Sequence, residues 1–118
     1  MPHISSYKLS KKAEDEIINN LNLALTFIRS GEEMVSFLGA LLSSTEKIML
    51  AKRLAMIVLI ESGMSDSQIS DLLHVTHGTV AKMRLFYEAR GEGFRVALKK
   101  LEEKKRLKAF KDTLLELV

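Results

Sequence analysis

The chain has 118 residues, of which 47% are hydrophobic, enough for one domain with its own core. Cysteine is absent, which excludes a disulfide framework and thiolate chemistry and fits the reducing cytoplasm, where we expect the protein to be. The N-terminus lacks an apolar signal-peptide core, and the most apolar run, residues 48–60, is too short and too charged to span a bilayer. We therefore expect a soluble protein with no membrane partner.

The net charge of +3 conceals an uneven distribution of charge. Residues 82–111 contain eleven basic and four acidic side chains, which gives this segment a net charge of +7. A segment of this kind can bind a polyanion, but a lysine-rich stretch is about as often the solvated face of a helix. Charge alone therefore indicates a candidate surface and leaves its partner open.

The fold is predicted to be all-α, because proline occurs only at Pro2 and no stretch alternates apolar and polar residues as a strand would. A first helix is expected over residues 10–30, stopped by Gly31, and a second over residues 32–42. Both have wide apolar faces, and a chain of this size offers little interior in which to bury them. We therefore expect a homodimer.

A third helix is predicted to begin at a capping box formed by Ser43 and Glu46 and to end at Gly63. It is apolar nearly all round, so it should lie at the centre of the structure. The whole chain, residues 1–118, is interpreted as one helical domain with a flexible segment at residues 1–9.

Residues 65–86 contain an amphipathic helix that stops after two turns and restarts in a different phase. Ser65 with Gln68 forms a second capping box, and Thr76 can cap the segment that follows. Two short helices joined by a tight turn are typical of a helix-turn-helix. The turn position usually held by glycine is His74, which is a departure from the motif. A left-handed backbone there would be strained, although histidine is among the residues that tolerate it better. The residues expected to lock the two helices together are Ile69, Leu73, Val75, Val80 and Met83, with Ser70 at the crossing.

A second helix held away from the body by such a turn can enter the DNA major groove. Gly78 and Ala81 would allow close approach to base edges, and Lys82 could reach a guanine or a phosphate. The motif therefore predicts a sequence-specific regulator of transcription that binds double-stranded DNA. The residues predicted to face the duplex are Ser65, Ser67, Thr76, His77, Gly78, Thr79, Ala81 and Lys82.

After Gly91 the sequence predicts one long amphipathic helix over residues 92–118, with its lysines on the outside. We expect these lysines to be weaker candidates for phosphate contacts than the motif residues, because the helix can also point away from DNA. Tyr87, Phe86 and Leu85 are expected to close the end of the recognition helix on the body.

A set of residues within the segment 37–101 matches the pattern of a known family. They are Glu46 after its cap, Leu50, Arg53 and Leu54 in the third helix, Gly63, Thr79-Val80, Lys82, and Gly93-Phe94 with Ala97-Leu98. In these features the chain resembles the Trp-repressor family, in particular its YerC/YecD-like branch. The resemblance implies an intertwined, all-helical homodimer that binds operator DNA as a repressor.

The resemblance also implies an effector pocket between the third helix and the recognition helix, where the family's best-known member holds tryptophan. Arg53 matches one of the arginines of that pocket, and Ser43 lies near the family's threonine. Lys82 replaces the second arginine, and Met83 replaces the glycine that leaves room for the indole. Tryptophan is therefore not expected as a corepressor. A different effector stays open, although Arg53 in such a helix more often pairs with an acid of its own dimer.

No sequence pattern predicts catalysis or a cofactor, so we do not expect an enzyme. His74 and His77 are three residues apart but have no carboxylate or cysteine beside them, which argues against a metal site. The alternative function is a helical adaptor whose motif and basic C-terminal helix bind an acidic protein. Asp66 and Asp71 favour this alternative, because both would repel phosphates if they faced a groove.

Overall fold

The structure, a computed structural model, describes residues 8–117, and all regular secondary structure in that range is helical. The all-α prediction is therefore confirmed for this part of the chain. The helices are α1 (Lys11–Phe27), α2 (Gly31–Leu41), α3 (Ser44–Glu61), α4 (Asp66–Leu73), α5 (His77–Arg90), α6 (Glu92–Glu103) and α7 (Leu107–Leu115). The predicted flexible segment 1–9 falls mostly outside the described residues. No helix within residues 8–117 is both long and apolar enough to cross a membrane.

The chain divides into two compact units, Met1–Ser43 and Ser44–Val118. In the first unit, α1 begins where the Ser10 hydroxyl oxygen accepts a hydrogen bond from the Ala13 amide. The predicted boundary between α1 and α2 was wrong, because Ser30 caps α2 by accepting from the Glu33 amide at 3.0 Å. Gly31 is therefore the first residue of α2 and not the end of α1. Neither helix contains a buried residue.

In the second unit, α3 packs against α4, α5, α6 and α7. Its second half, residues 55–60, is buried without interruption and forms the centre of the core. The prediction of a central helix therefore holds for this half. The first half instead exposes Ile48, Met49 and Leu50, three apolar side chains in succession.

The predicted single helix over residues 92–118 is divided into α6 and α7. Lys105 adopts a left-handed backbone with φ of 58°, which ends α6. The amides of Lys105 and Arg106 donate to the carbonyls of Glu102 and Leu101, at 2.9 and 2.8 Å, and so close the helix end. The resulting change of direction allows Leu107, Phe110 and Leu114 of α7 to pack on the core. No glycine or proline marks this break in the sequence.

Candidate nucleic-acid interface

The first helix of the motif, α4, begins at the predicted capping box. The Ser65 hydroxyl oxygen accepts from the Gln68 amide at 3.2 Å, and the Gln68 side chain accepts from the Ser65 amide at 3.1 Å. Both reciprocal bonds are present, so this prediction is confirmed. The box fixes where α4 starts because it satisfies two amides that have no partner inside the helix.

The turn between α4 and α5 has the left-handed residue that the sequence predicted. His74 has φ of 55° and ψ of 51°. Ser70 holds the turn from the side of α4: its carbonyl accepts from the Val75 amide at 3.2 Å, and its hydroxyl donates to the Val75 carbonyl at 2.6 Å. Ser70 is buried, so a larger side chain would not fit without displacing one of the helices.

The second helix of the motif, α5, begins at Thr76, whose hydroxyl oxygen accepts from the Thr79 amide at 3.1 Å. Val80, one turn further on, is fully buried with Ile69 of α4. The opposite side of the same turns carries Gly78 and Lys82, both exposed, and His77 is exposed as the first residue of the helix. The helix is therefore anchored on one side and open to solvent on the other over its first two turns.

The structure leaves seven of the eight predicted DNA-facing residues exposed, and Ala81 is half-buried. They fall at two helix starts, with Ser65 and Ser67 at α4 and the others at α5. Ser65 and Thr76 already accept cap hydrogen bonds through their hydroxyl oxygens. The side chains most available to a ligand are therefore Ser67, His77 and Lys82.

An ion pair that the sequence did not reveal joins the two motif helices. Arg84 of α5 donates through Nε to a carboxylate oxygen of Asp66 at 2.7 Å, and its terminal nitrogen also donates to the Met64 carbonyl at 3.0 Å. Asp66 is the first residue of α4, so the pair fastens the beginning of α4 to the middle of α5. The two residues are eighteen positions apart, and no local sequence pattern links them.

The far end of α5 is fastened to the body by Tyr87. Its ring is buried, its hydroxyl donates to the Glu61 carboxylate, and the Arg95 guanidinium lies 5.0 Å from the ring centroid. Burial, followed by the hydrogen bond to Glu61 and its negative charge, raises the pKa of Tyr87 above the ordinary 10.0. Leu85 and Phe86, predicted to close this end, instead remain 66% and 47% exposed. Phe86 nevertheless meets the edge of Phe94, with 6.4 Å between the ring centroids, so it covers part of this end of the helix.

The residues predicted to form an effector pocket are partly brought together. Arg53 of α3 and Lys82 and Met83 of α5 border an open, mainly apolar cavity of about 300 Å³ and an adjoining one of about 410 Å³. Met83 is half-buried and packs against the core cluster. Ser43, the fourth predicted pocket residue, belongs to the first unit. With Lys52, three cations line the first of these apolar cavities, an arrangement that suits a small anion with an apolar body.

Within residues 8–117 no group of three His, Asp or Glu side chains is placed to hold a metal ion. Comparison with known proteins gave no match to a family model, a curated protein or a solved structure.

Proposed function

We propose that the protein is a Trp-repressor-like, homodimeric regulator of transcription that binds double-stranded DNA through α4 and α5 and acts as a repressor. The observation that carries this proposal is the two-sided start of α5. Val80 is fully buried in the core with Ile69 of α4, while Gly78 and Lys82 stand exposed on the opposite side and His77 is exposed at the first helical position. A helix start with small and cationic side chains on its open side fits a major groove and the phosphates beside it.

The dimer is proposed from the apolar side chains that the single chain leaves uncovered. In α1 and α2, Phe27 and Val35 are 69% and 74% exposed, and Ile48, Met49 and Leu50 are exposed at the start of α3. Apolar side chains that form a contiguous exposed patch usually mark an interaction site, and we propose that these do. A second copy would cover them and would present two recognition helices to half-sites about one turn of DNA apart.

The adaptor alternative has less support in the structure than in the sequence. It was favoured by Asp66 and Asp71, whose charges would repel phosphates. Asp66 is paired with Arg84, so its charge is compensated within the motif. Asp71 stays exposed without an ion-pair partner in the described chain, and within the motif Lys82, also exposed and unpaired in the described chain, offsets this one unfavourable charge.

The sharpest test of the proposal is Gly78→Ala. A Cβ at Gly78 would meet only the Thr76 hydroxyl oxygen, at 3.9 Å, which is an ordinary contact. Alanine is also the better helix residue, so the variant should be more stable by about 0.5–1 kcal/mol. If α5 approaches base edges at this point, the same methyl group should weaken binding to the selected duplex. Gly93→Ala, where a Cβ meets nothing within 4 Å, is the matched control and should leave binding unchanged.

The duplex for this test comes from selection on a random library, from which a dimer should enrich a palindromic sequence. On that sequence, Lys82→Ala should weaken the binding free energy by about 1–3 kcal/mol if the ammonium contacts a base. If the ammonium contacts a phosphate, the slope of log affinity against log salt concentration should fall by about one. Lys12→Ala, on exposed α1, is the control for loss of one charge. The proposal fails if no sequence is enriched, or if neither Gly78→Ala nor Lys82→Ala changes binding.

Two further measurements test the remaining parts of the proposal. Light scattering at micromolar concentration should give the mass of a dimer, and a monomer mass would contradict the proposed assembly. Millimolar tryptophan should leave the melting temperature unchanged, because tryptophan is not expected to bind. A compound that binds the folded state would raise the melting temperature.

A further inference from the structure

The turn between α6 and α7 carries three consecutive cations, Lys104, Lys105 and Arg106, which we call the basic corner. All three side chains are exposed. Further exposed lysines flank the corner on both helices, at Lys99, Lys100 and Lys108. The basic corner and the helix-turn-helix both belong to the second unit, but they have no residue in common.

Lysine is a costly choice at the centre of this corner. Lys105 has φ of 58°, a conformation that glycine adopts without strain and that a residue with a Cβ adopts at a cost. Within residues 8–117, His74 is the other non-glycine residue with positive φ, and it forms the turn of the proposed DNA-binding motif. Glycine would end α6 at lower cost, so a use for the lysine side chain would explain its presence.

The charge of the corner is not used within the described chain. Lys104, Lys105 and Arg106 have no acidic partner within ion-pair distance in residues 8–117. The flanking pairs Lys100–Glu103 and Lys108–Asp112, at 3.8 and 3.6 Å, are exposed and weak. The carbonyl end of α6 favours nearby cations, but this effect is weak for exposed side chains and does not require a lysine at the strained position.

From this geometry we infer that the basic corner binds the phosphodiester backbone of duplex DNA, as a contact additional to the proposed helix-turn-helix. This inference rests on the proposed function in taking DNA as the partner. The surroundings favour phosphates over an acidic protein, because no large hydrophobic side chain is exposed between Val96 and Leu115. Protein interfaces usually have an apolar centre and few lysines, whereas phosphate contacts need only charge and hydrogen-bond donors.

The test measures binding of the full chain to a duplex of arbitrary sequence by fluorescence anisotropy, at salt concentrations from 50 to 200 mM. Each phosphate contact contributes about 0.9 to the slope of log affinity against log salt, so this fourfold rise in salt costs about 3.5-fold in affinity per contact. Lys104→Gln with Lys105→Gln should therefore lose up to two such contacts per protomer. The double variant Lys104→Arg with Lys105→Arg should keep the wild-type slope.

Two controls separate a local contact from net charge and from misfolding. Lys8→Gln with Lys12→Gln removes the same charge from exposed positions elsewhere and should leave the slope nearly unchanged. Lys105→Gly relieves the backbone strain, so it should melt no lower than wild type and still show a reduced slope.

The inference is overturned if the wild type does not bind this duplex, if the glutamine variant keeps the wild-type slope, or if the Lys8 and Lys12 control loses as much. It is also overturned if poly-glutamate or phosphatidylserine vesicles compete as well as the duplex does, since the surface would then not distinguish DNA. If the basic corner does not contact DNA, the proposed function is not affected. The proposed function is tested separately, by the binding of the Gly78 and Lys82 variants to the selected sequence.

Discussion

Gly91, between α5 and α6, gives the most direct test of how α5 is held to the body. Its φ is −84°, which any residue can adopt, so conformational freedom does not explain the glycine. A Cβ built there would lie 2.5 Å from Cδ1 of Tyr87 and closer still to the Tyr87 carbonyl oxygen. The ring cannot easily turn aside, because its hydroxyl is bonded to Glu61 and its edge meets Phe94 with 6.4 Å between the ring centroids.

Gly91→Ala should therefore destabilise the protein by overpacking, which typically costs about 1–3 kcal/mol. A loss of 2 kcal/mol corresponds to a fall of about 8 °C in melting temperature for a domain of this size. Gly93→Ala, two residues further into α6, introduces the same methyl group where nothing lies within 4 Å. It should stabilise the protein by about 0.5–1 kcal/mol, because alanine loses less backbone entropy than glycine in a helix.

The assay is urea unfolding followed by circular dichroism at one fixed protein concentration, since a dimer would make stability depend on concentration. The two variants differ from wild type by one methyl group each. Changes of opposite sign in the free energy of unfolding can therefore come only from the surroundings of that group. Equal stability of Gly91→Ala and wild type would refute the proposed close packing of Tyr87 on Gly91.

Three other predictions concern the same motif. Asp66→Asn should cost about 1 kcal/mol, and less in high salt, because it removes both the ion pair with Arg84 and a favourable charge at the start of α4. Asp71→Asn, without an ion-pair partner in the described chain, is the control and should change stability little. Because the pKa of Tyr87 is raised above 10.0 in the folded state, the unfolded chain loses this proton first. The free energy of unfolding should therefore fall as pH rises past 10.0, by at most about 1.4 kcal/mol per pH unit, and Tyr87→Phe should remove that part of the slope. His74→Gly should raise stability by about 0.5–1 kcal/mol by relieving the left-handed backbone, and a loss of stability would show that the imidazole supports the turn.

Features set by neighbouring residues were predictable from the sequence. The capping box at Ser65 and the left-handed turn at His74 depend on side chains within a few positions of each other, so their pattern is visible along the chain. The break at Lys105 was missed because lysine occupies a position that glycine usually marks. There the packing of Leu107 and Phe110 on the core outweighs the local cost of the turn.

Features that join distant residues could not be predicted in the same way. Nothing near Asp66 or Arg84 indicates that they pair, because the contact exists only after α4 and α5 have packed. The exposure of Leu85 and Phe86 was missed for a related reason. An apolar residue in a helix indicates a side chain that burial would stabilise. The sequence does not tell whether the same chain or another molecule buries it.

Three attachments together hold α5 in place on the second unit. Ser70 fixes the turn before it, Arg84 ties its middle to the start of α4, and Tyr87 holds its end on the body. All three lie off the exposed side of the first two turns, where Gly78 and Lys82 project. Because the helix is already held in place, a duplex that it contacts would not have to pay for ordering it. Variants that loosen one attachment should therefore weaken binding to the selected duplex even though they remove no contact with DNA. Asp66→Asn breaks the pair with Arg84 and should bind this duplex more weakly than wild type, whereas unchanged or tighter binding would contradict a role for this attachment.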